Sequence, residues 1–219
     1  MSDQAPLRLY QALVDQDPAA AISVIESVRA SGVSQARLFD VLFVPSMGVL
    51  GGAWASGEID EIAFTQAAVV ADQVTSFVTP PAANADTGVV VLIGCMHKDH
   101  HAVGKNVAAA ALKEAGHRVL DLGVDVRPAE FLEKVEETGA RIVIVSAEML
   151  SAARDAGRVR DMLTSSGHTD VVILVTGGPF DADPELARSA GANGVIHGAE
   201  SALRLVARVA EDRAEREDA

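Results

Sequence analysis

The apolar positions of this chain fall into two regimes. From Leu7 to Val78 they recur at helical spacing with no convincing strand, whereas from residue 89 short continuous apolar runs alternate with amphipathic segments. In the first regime Asp17-Pro18 reads as an N-cap followed by proline at the first helical position, opening "PAAAISVIESVRAS", and Gly32 closes that helix. Ser34 is placed to cap "QARLFDVLFVPSMGVLGGAWAS", which Pro45 should kink and Gly57 should end. A last helix runs roughly from Asp60 to Val78. The pattern predicts four helices joined by short turns, a small antiparallel bundle.

In the second regime the strand candidates are "VVVLIG", "HRVLDLG", "RIVIVSA", "DVVILVTGG" and "GVIHG". Between them lie "VGKNVAAAALKEAG", "RPAEFLEKVEETG", "SAARDAGRVRDMLTSSG" and "DADPELARSAG", each of helical length, and "AESALRLVARVAEDRAERE" ends the chain. Continuous apolar strands alternating with helices predict a parallel sheet covered on both faces. The fold class is therefore α/β: a helical bundle over 1–79, a linker over 80–88 ("PPAANADTG") and a Rossmann-like, flavodoxin-like domain of five parallel strands over 89–219.

Composition narrows the function. Hydrophobic residues make up 49% of the 219-residue chain but aromatics only 4%, so the core is aliphatic and rich in alanine. A formal charge of −13 with no Lys/Arg cluster argues against direct nucleic-acid contact, which needs a basic face. The apolar runs are too short to span a bilayer, and "MSDQAPLRLYQ" lacks the basic and apolar regions of a secretory signal, so a cytoplasmic protein is expected. The single Cys95 excludes an intramolecular disulfide and any multi-cysteine zinc site; a small buried residue is its simplest reading, a thiol near the site the other.

Candidate chemistry gathers at the strand ends, where ligands bind in open parallel sheets. "CMHKDHHAVGKN" (95–106) places three of the six histidines directly after the first strand. Asp99, His101 and Gly104 form D-x-H-x-x-G, running into Lys105-Asn106 and an alanine-rich helix. Asp99 is close enough in sequence to hydrogen-bond an imidazole nitrogen of His101, the arrangement that fixes the tautomer of a metal-ligating histidine; a merely solvated histidine is the plainer alternative. Gly123 ends the second strand, Ser146 the third, and Gly177-Gly178 the fourth. Small residues at successive strand ends describe a deep slot, although glycine also ends strands for purely local reasons.

"DHHAVGKNVAAAALKEAGHRVLDLGVDV", the Ser146 strand end and "TGG", in that order over about 89–200, resemble the cobalamin-binding domain of corrinoid proteins. The resemblance implies cobalamin, in adenosyl, methyl or hydroxo form, held with its own dimethylbenzimidazole displaced. His101 would be the lower axial ligand of cobalt and Asp99 would orient it. Gly104, Ser146, Gly177 and Gly178 would line the channel that takes the displaced nucleotide tail. The family's Ser-x-Leu is incomplete, because Glu148 stands where leucine is expected. His97 and His100 take no role from the resemblance.

"LFVPSMGVLGGAWASGEIDEIAFTQAAVVAD" also resembles the helical cap found over the upper corrin face in two groups of these proteins, corrinoid methyl carriers and cobalamin-dependent photoreceptors. Trp54, the only tryptophan, matches the photoreceptor pattern, although a lone tryptophan is commonly just core. Where that pattern continues with a Glu-His pair, this chain has Phe64 and Thr65. Neither ligates cobalt through nitrogen, so an apolar upper pocket is expected, open to another upper ligand or to a second flat chromophore such as a linear tetrapyrrole (a bilin). The leading expectation is accordingly a non-enzymatic cobalamin-binding sensor, responsive to light or ligand, with a protein effector as partner and a homodimer as a possible state. The alternative is the corrinoid methyl carrier of a methyltransferase system, to which "HAVGKNV" and "DLGVDV" are very similar. A metal-free response domain is the third reading, and it would rest on Asp99 alone.

Overall fold

A computed structural model describes residues 4–78 and 89–217. The linker expected over 80–88 lies outside the described residues. The chain divides into two compact units, Met1–Pro80 and Pro81–Ala219.

The first unit is helical. It comprises α1 (Ala5–Val14), α2 (Pro18–Ala30), α3 (Gln35–Leu38), a π-helical turn (Phe39–Phe43), α4 (Val44–Ala55) and α5 (Glu61–Val78). Asp17 caps α2 as expected, its Oδ1 accepting from Ala20 N at 2.9 Å with Pro18 next in line. Asp60 does the same for α5, through Ala63 N at 2.8 Å. Ser34 makes no side-chain cap, contrary to expectation. The stretch from α3 to α4 is also not a simple proline kink. Val44 N bonds back to Phe39 O, and this wider turn opens the ladder just ahead of Pro45, which has no N–H with which to close it. The unit's core is aliphatic: Leu9 and Leu13 of α1, Ile25 of α2, Leu42 and Leu50, and Val74 and Val78 of α5 are fully buried. Phe39 and Phe43 stack beside them with ring centroids 5.4 Å apart.

The second unit is a five-stranded, all-parallel sheet of β1 (Val90–Cys95), β2 (Arg118–Asp121), β3 (Ile142–Ser146), β4 (Val172–Thr176) and β5 (Gly194–Ile196), in the order β2-β1-β3-β4-β5. Its helices are α6 (Val103–Glu114), α7 (Pro128–Thr138), α8 (Leu150–Asp155), α9 (Gly157–Ser165), α10 (Gly178–Ala182), α11 (Pro184–Ser189) and α12 (Ala199–Glu217). Alternation along the strands splits the core in two. Leu92, Val143, Val145, Ile173 and Val175 face Phe131 and Val135 of α7 and Val159 and Leu163 of α9. Val91, Ile93, Ile142, Ile144 and Leu174 face Ala108, Ala109 and Leu112 of α6 and Ala202 and Val206 of α12. Both faces are covered, which is why the strands read as continuous apolar runs.

Two expected helices are each divided. The "SAARDAGRVRDMLTSSG" segment breaks between α8 and α9, where Gly157 packs so tightly that a Cβ would stand 3.1 Å from the carbonyl oxygen of Ser189. "DADPELARSAG" breaks at Asp183, held extended (φ −135°) by the following Pro184 while its carboxylate caps α11 through Glu185 N at 3.0 Å. The strand order reverses between β1 and β3, so the ligand crevice of this topology opens at the carboxyl ends of these two strands.

Candidate functional site

The loop that leaves β1 carries Asp99 and His101 into that crevice. Asp99 is fully buried, and its two oxygens face opposite ways. Oδ1 accepts from His101 N at 3.0 Å and lies 2.8 Å from His101 Nδ1. Oδ2 accepts from the N–H groups of Glu148 at 2.5 Å and Met149 at 2.8 Å, on the loop that leaves β3. Burial alone would push the Asp99 pKa up, but the hydrogen bonds from Met149, His101 and Glu148 outweigh it and hold the carboxyl below its ordinary 3.8. Its stabilising contribution is therefore present above the unfolded value and is lost as pH falls through the depressed folded one.

In the neutral imidazole, a carboxylate oxygen beside Nδ1 selects the tautomer with the proton on Nδ1 and the lone pair on Nε2. The side chain is 61% exposed, and among the described residues its ring hydrogen bonding is confined to Nδ1. The donor set thus suits a metal-bearing group arriving from the open edge of the sheet. Gly104, three residues on, also leaves room: a Cβ there would meet nothing within 4 Å.

Polar contacts from neighbouring segments anchor the loop from behind. Lys105, only 2% exposed, places Nζ 2.5 and 2.6 Å from the two oxygens of Asp121 at the end of β2 and 2.8 Å from Asn106 Oδ1. Asp121 Oδ1 also accepts from Gly123 N at 2.8 Å, and Gly123, at φ +86°, returns its carbonyl to Cys95 N at 3.0 Å. Asp125 accepts from Lys98 N at 2.7 Å, and its own N–H bonds Asp99 O at 3.0 Å. Its Oδ1 also lies 2.7 Å from His97 Nδ1. Cys95 is buried, its thiol donating to His101 O at 3.5 Å, and burial pushes it up to about 11.

The other sequence-predicted residues divide between two surroundings. Ser146 is buried at the end of β3, in register with Cys95 on one side and Thr176 on the other. Gly177 corrects an expectation. A Cβ there would stand 2.0 Å from Ala147 O, at φ +127°, so the missing side chain serves the packing of β4 against β3 and leaves no added room. Gly178 begins α10, and its N–H is taken by Glu148 Oε2 at 3.0 Å. Asp99, His101, Glu148 and Gly178 therefore form one chain of hydrogen bonds across the ends of β1, β3 and β4. In the helical unit Trp54 stacks on Phe64, with centroids 4.7 Å apart and planes at 23°. Phe64 covers one face of the indole, and Trp54 stays 47% exposed. Thr65 Oγ1 is spent on Glu61 O at 2.8 Å, within its own helix.

Sequence reasoning missed the Lys105–Asp121 pair and a second carboxylate-held histidine, His197, whose Nδ1 lies 2.6 Å from Asp181 Oδ1. The signal for the latter was the histidine directly after the β5 run, a repeat of the cluster after β1. An open cleft of about 420 Å³, lined by His97, Arg127, Arg158, Asp161 and Met162 among others, contains none of the predicted ligand residues. No helix among the described residues is long and apolar enough to cross a membrane.

Comparison with known proteins identifies the family and the fold. The profile of the B12 binding domain matches residues 89–207. A trimethylamine corrinoid protein of Methanosarcina barkeri is 30% identical over 172 residues, 77% of this chain and 79% of that protein. A corrinoid protein of Desulfitobacterium hafniense is 25% identical over 207 residues, 92% of this chain and 95% of the relative. Among solved structures, the Methanosarcina barkeri monomethylamine corrinoid protein superposes with a TM-score of 0.79 at 20% identity, covering 92% of this chain and 96% of its own, and so shares the fold. The chain belongs to the family of corrinoid proteins built on a B12 binding domain.

Proposed function

We propose that the protein is a corrinoid methyl carrier that serves a partner methyltransferase, holding its cofactor through Nε2 of His101. The observation that carries the reading is the 2.8 Å contact between His101 Nδ1 and the buried Asp99, which turns the other ring nitrogen, Nε2, toward the topological switch point as the one available to a metal. When bound, the corrin supplies a cobalt centre able to accept and release a methyl group. The chain's own residues do the positioning. Asp99 fixes the tautomer and the plane of the imidazole, and the N–H groups of Glu148 and Met149 keep that carboxylate ionised and immobile. Lys105 and Asp121 tie the start of α6 to the end of β2, behind the loop that carries His101.

Relatives named as methylamine corrinoid proteins favour the carrier over the light- or ligand-responsive sensor. Phe64 takes one face of Trp54, which a second flat chromophore would otherwise be free to stack on. The test is spectroscopic. Wild-type protein mixed with hydroxocobalamin should retain the corrin through gel filtration, with an absorption spectrum shifted by a protein imidazole. His101→Ala should lose that shift and bind at least about tenfold more weakly, the scale of losing one ligand bond of modest strength. An identical spectrum and affinity in the variant would remove His101 from the site.

A further inference from the structure

Glu148 is the residue at which this chain departs from the motif it otherwise follows, and the structure shows where its carboxylate goes. Its backbone N–H is committed to Asp99 Oδ2. Its side chain reaches the other way, toward the end of β4, where Oε2 accepts from Gly178 N. A Cβ placed on Gly178 would already stand 3.3 Å from that oxygen. Among the described residues the second oxygen, Oε1, has no hydrogen-bond partner, and Glu148 as a whole is exposed. A negative charge with a spare acceptor thus spans the ends of β3 and β4, on the strip where the family resemblance would put the displaced nucleotide tail.

The consequence follows from hydrogen-bond chemistry. An ionised carboxylate accepts and never donates. A leucine at this position would receive any flat base by apolar contact, whereas a carboxylate must be stripped of water by whatever covers it. That costs free energy unless the incoming group donates a hydrogen bond in return. Dimethylbenzimidazole joined to its ribose has no N–H or O–H on the ring system. A purine with an exocyclic amine, or a hydroxylated benzimidazole, has one. We propose that Glu148 makes the tail site selective for corrinoids whose lower base carries an N–H or O–H donor, adenine-type bases foremost, over cobalamin itself. Sites built around a polar partner reject analogues that lack it far more strongly than apolar sites reject added groups.

The inference rests on the corrinoid reading, and one titration separates the two. Hydroxocobalamin and its adenine-based counterpart are added to the full apo-chain, and Kd is read from the change in corrin absorption. The wild type should favour the adenine-based corrinoid by about tenfold or more, the scale of a hydrogen bond to a charged group. Glu148→Leu should gain affinity for cobalamin and lose the preference. Glu148→Gln, which retains an acceptor for Gly178 N, should fall between them and provides the comparison should the leucine variant fold poorly. Equal affinities in the wild type, or the same ratio in wild type and Glu148→Gln or Glu148→Leu, would overturn the selectivity while leaving the corrinoid reading intact. Failure of the wild type to take up either corrinoid would overturn both.

Discussion

His101 depends on groups that no local motif contains. D-x-H-x-x-G was legible because Asp99 and His101 are two residues apart, and a loop of that length brings carboxylate and imidazole together. The N–H donors that hold Asp99 in place lie 49 and 50 residues further on, and only the parallel pairing of β1 with β3 delivers them. Glu148 could be read as a departure from a motif, but its reach to Gly178 could not. Cys95 could be read as buried, and the structure adds a consequence. With its pKa pushed up to about 11, the group is a thiol at pH 8, with well under one part in a hundred as the reactive thiolate. A disulfide reagent such as DTNB should therefore label native protein at pH 8 far more slowly than protein unfolded in urea, and the native rate should climb as pH rises toward that value. Rapid stoichiometric labelling of the native chain at pH 8 would contradict the burial described for this strand end.

At the scale of elements, the five strands and the alanine-rich helix after the histidine cluster were legible from periodicity, because strands buried on both faces leave an unmistakable apolar run. The break at Gly157 and the π-helical turn before Pro45 were not, since each answers to a tertiary contact or to a register adjustment that leaves the hydrophobic period intact; the break at Asp183 did carry a local signal, a capping aspartate followed by Pro184, which periodicity alone passes over. Glycine shows the difference most clearly. Gly104 and Gly177 both looked like residues that make room. Gly177 is instead required by the backbone of Ala147, whereas Gly104 faces open space. Gly177→Ala should destabilise the apo-protein by roughly 3 kcal/mol or more, from overlap and an unfavourable φ together. Gly104→Ala lies in the first turn of α6 and should leave urea stability unchanged or raise it by about 0.4–1 kcal/mol. It should nonetheless weaken corrinoid uptake. If Gly104→Ala binds as tightly as the wild type, the open space beside it is not ligand space.

For the whole molecule, composition and the change of pattern near residue 89 anticipated two units, one helical and one α/β, and the net charge of −13 set nucleic acid aside. The sequence did not distinguish a sensor from a carrier, because Trp54 and the "HAVGKNV" stretch pointed in different directions and the two groups share an architecture. Relatives named as trimethylamine corrinoid proteins are the ground for proposing the carrier. A carrier has no need to change its assembly when the upper cobalt ligand is lost. Protein loaded with methylcobalamin should accordingly elute from a sizing column at the same volume before and after illumination; a light-dependent shift would restore the sensor reading.

The central claim is that one protein imidazole nitrogen is bonded to cobalt, and electron paramagnetic resonance of the cobalt(II) form tests it most directly. Chain labelled uniformly with ¹⁵N is loaded with unlabelled corrinoid and reduced by one electron. If His101 is the axial ligand, the cobalt lines carry a doublet superhyperfine splitting from ¹⁵N, and His101→Ala abolishes it. A triplet that persists in the labelled chain would mean that the nitrogen belongs to the cofactor's own base, and the account would be wrong at its root.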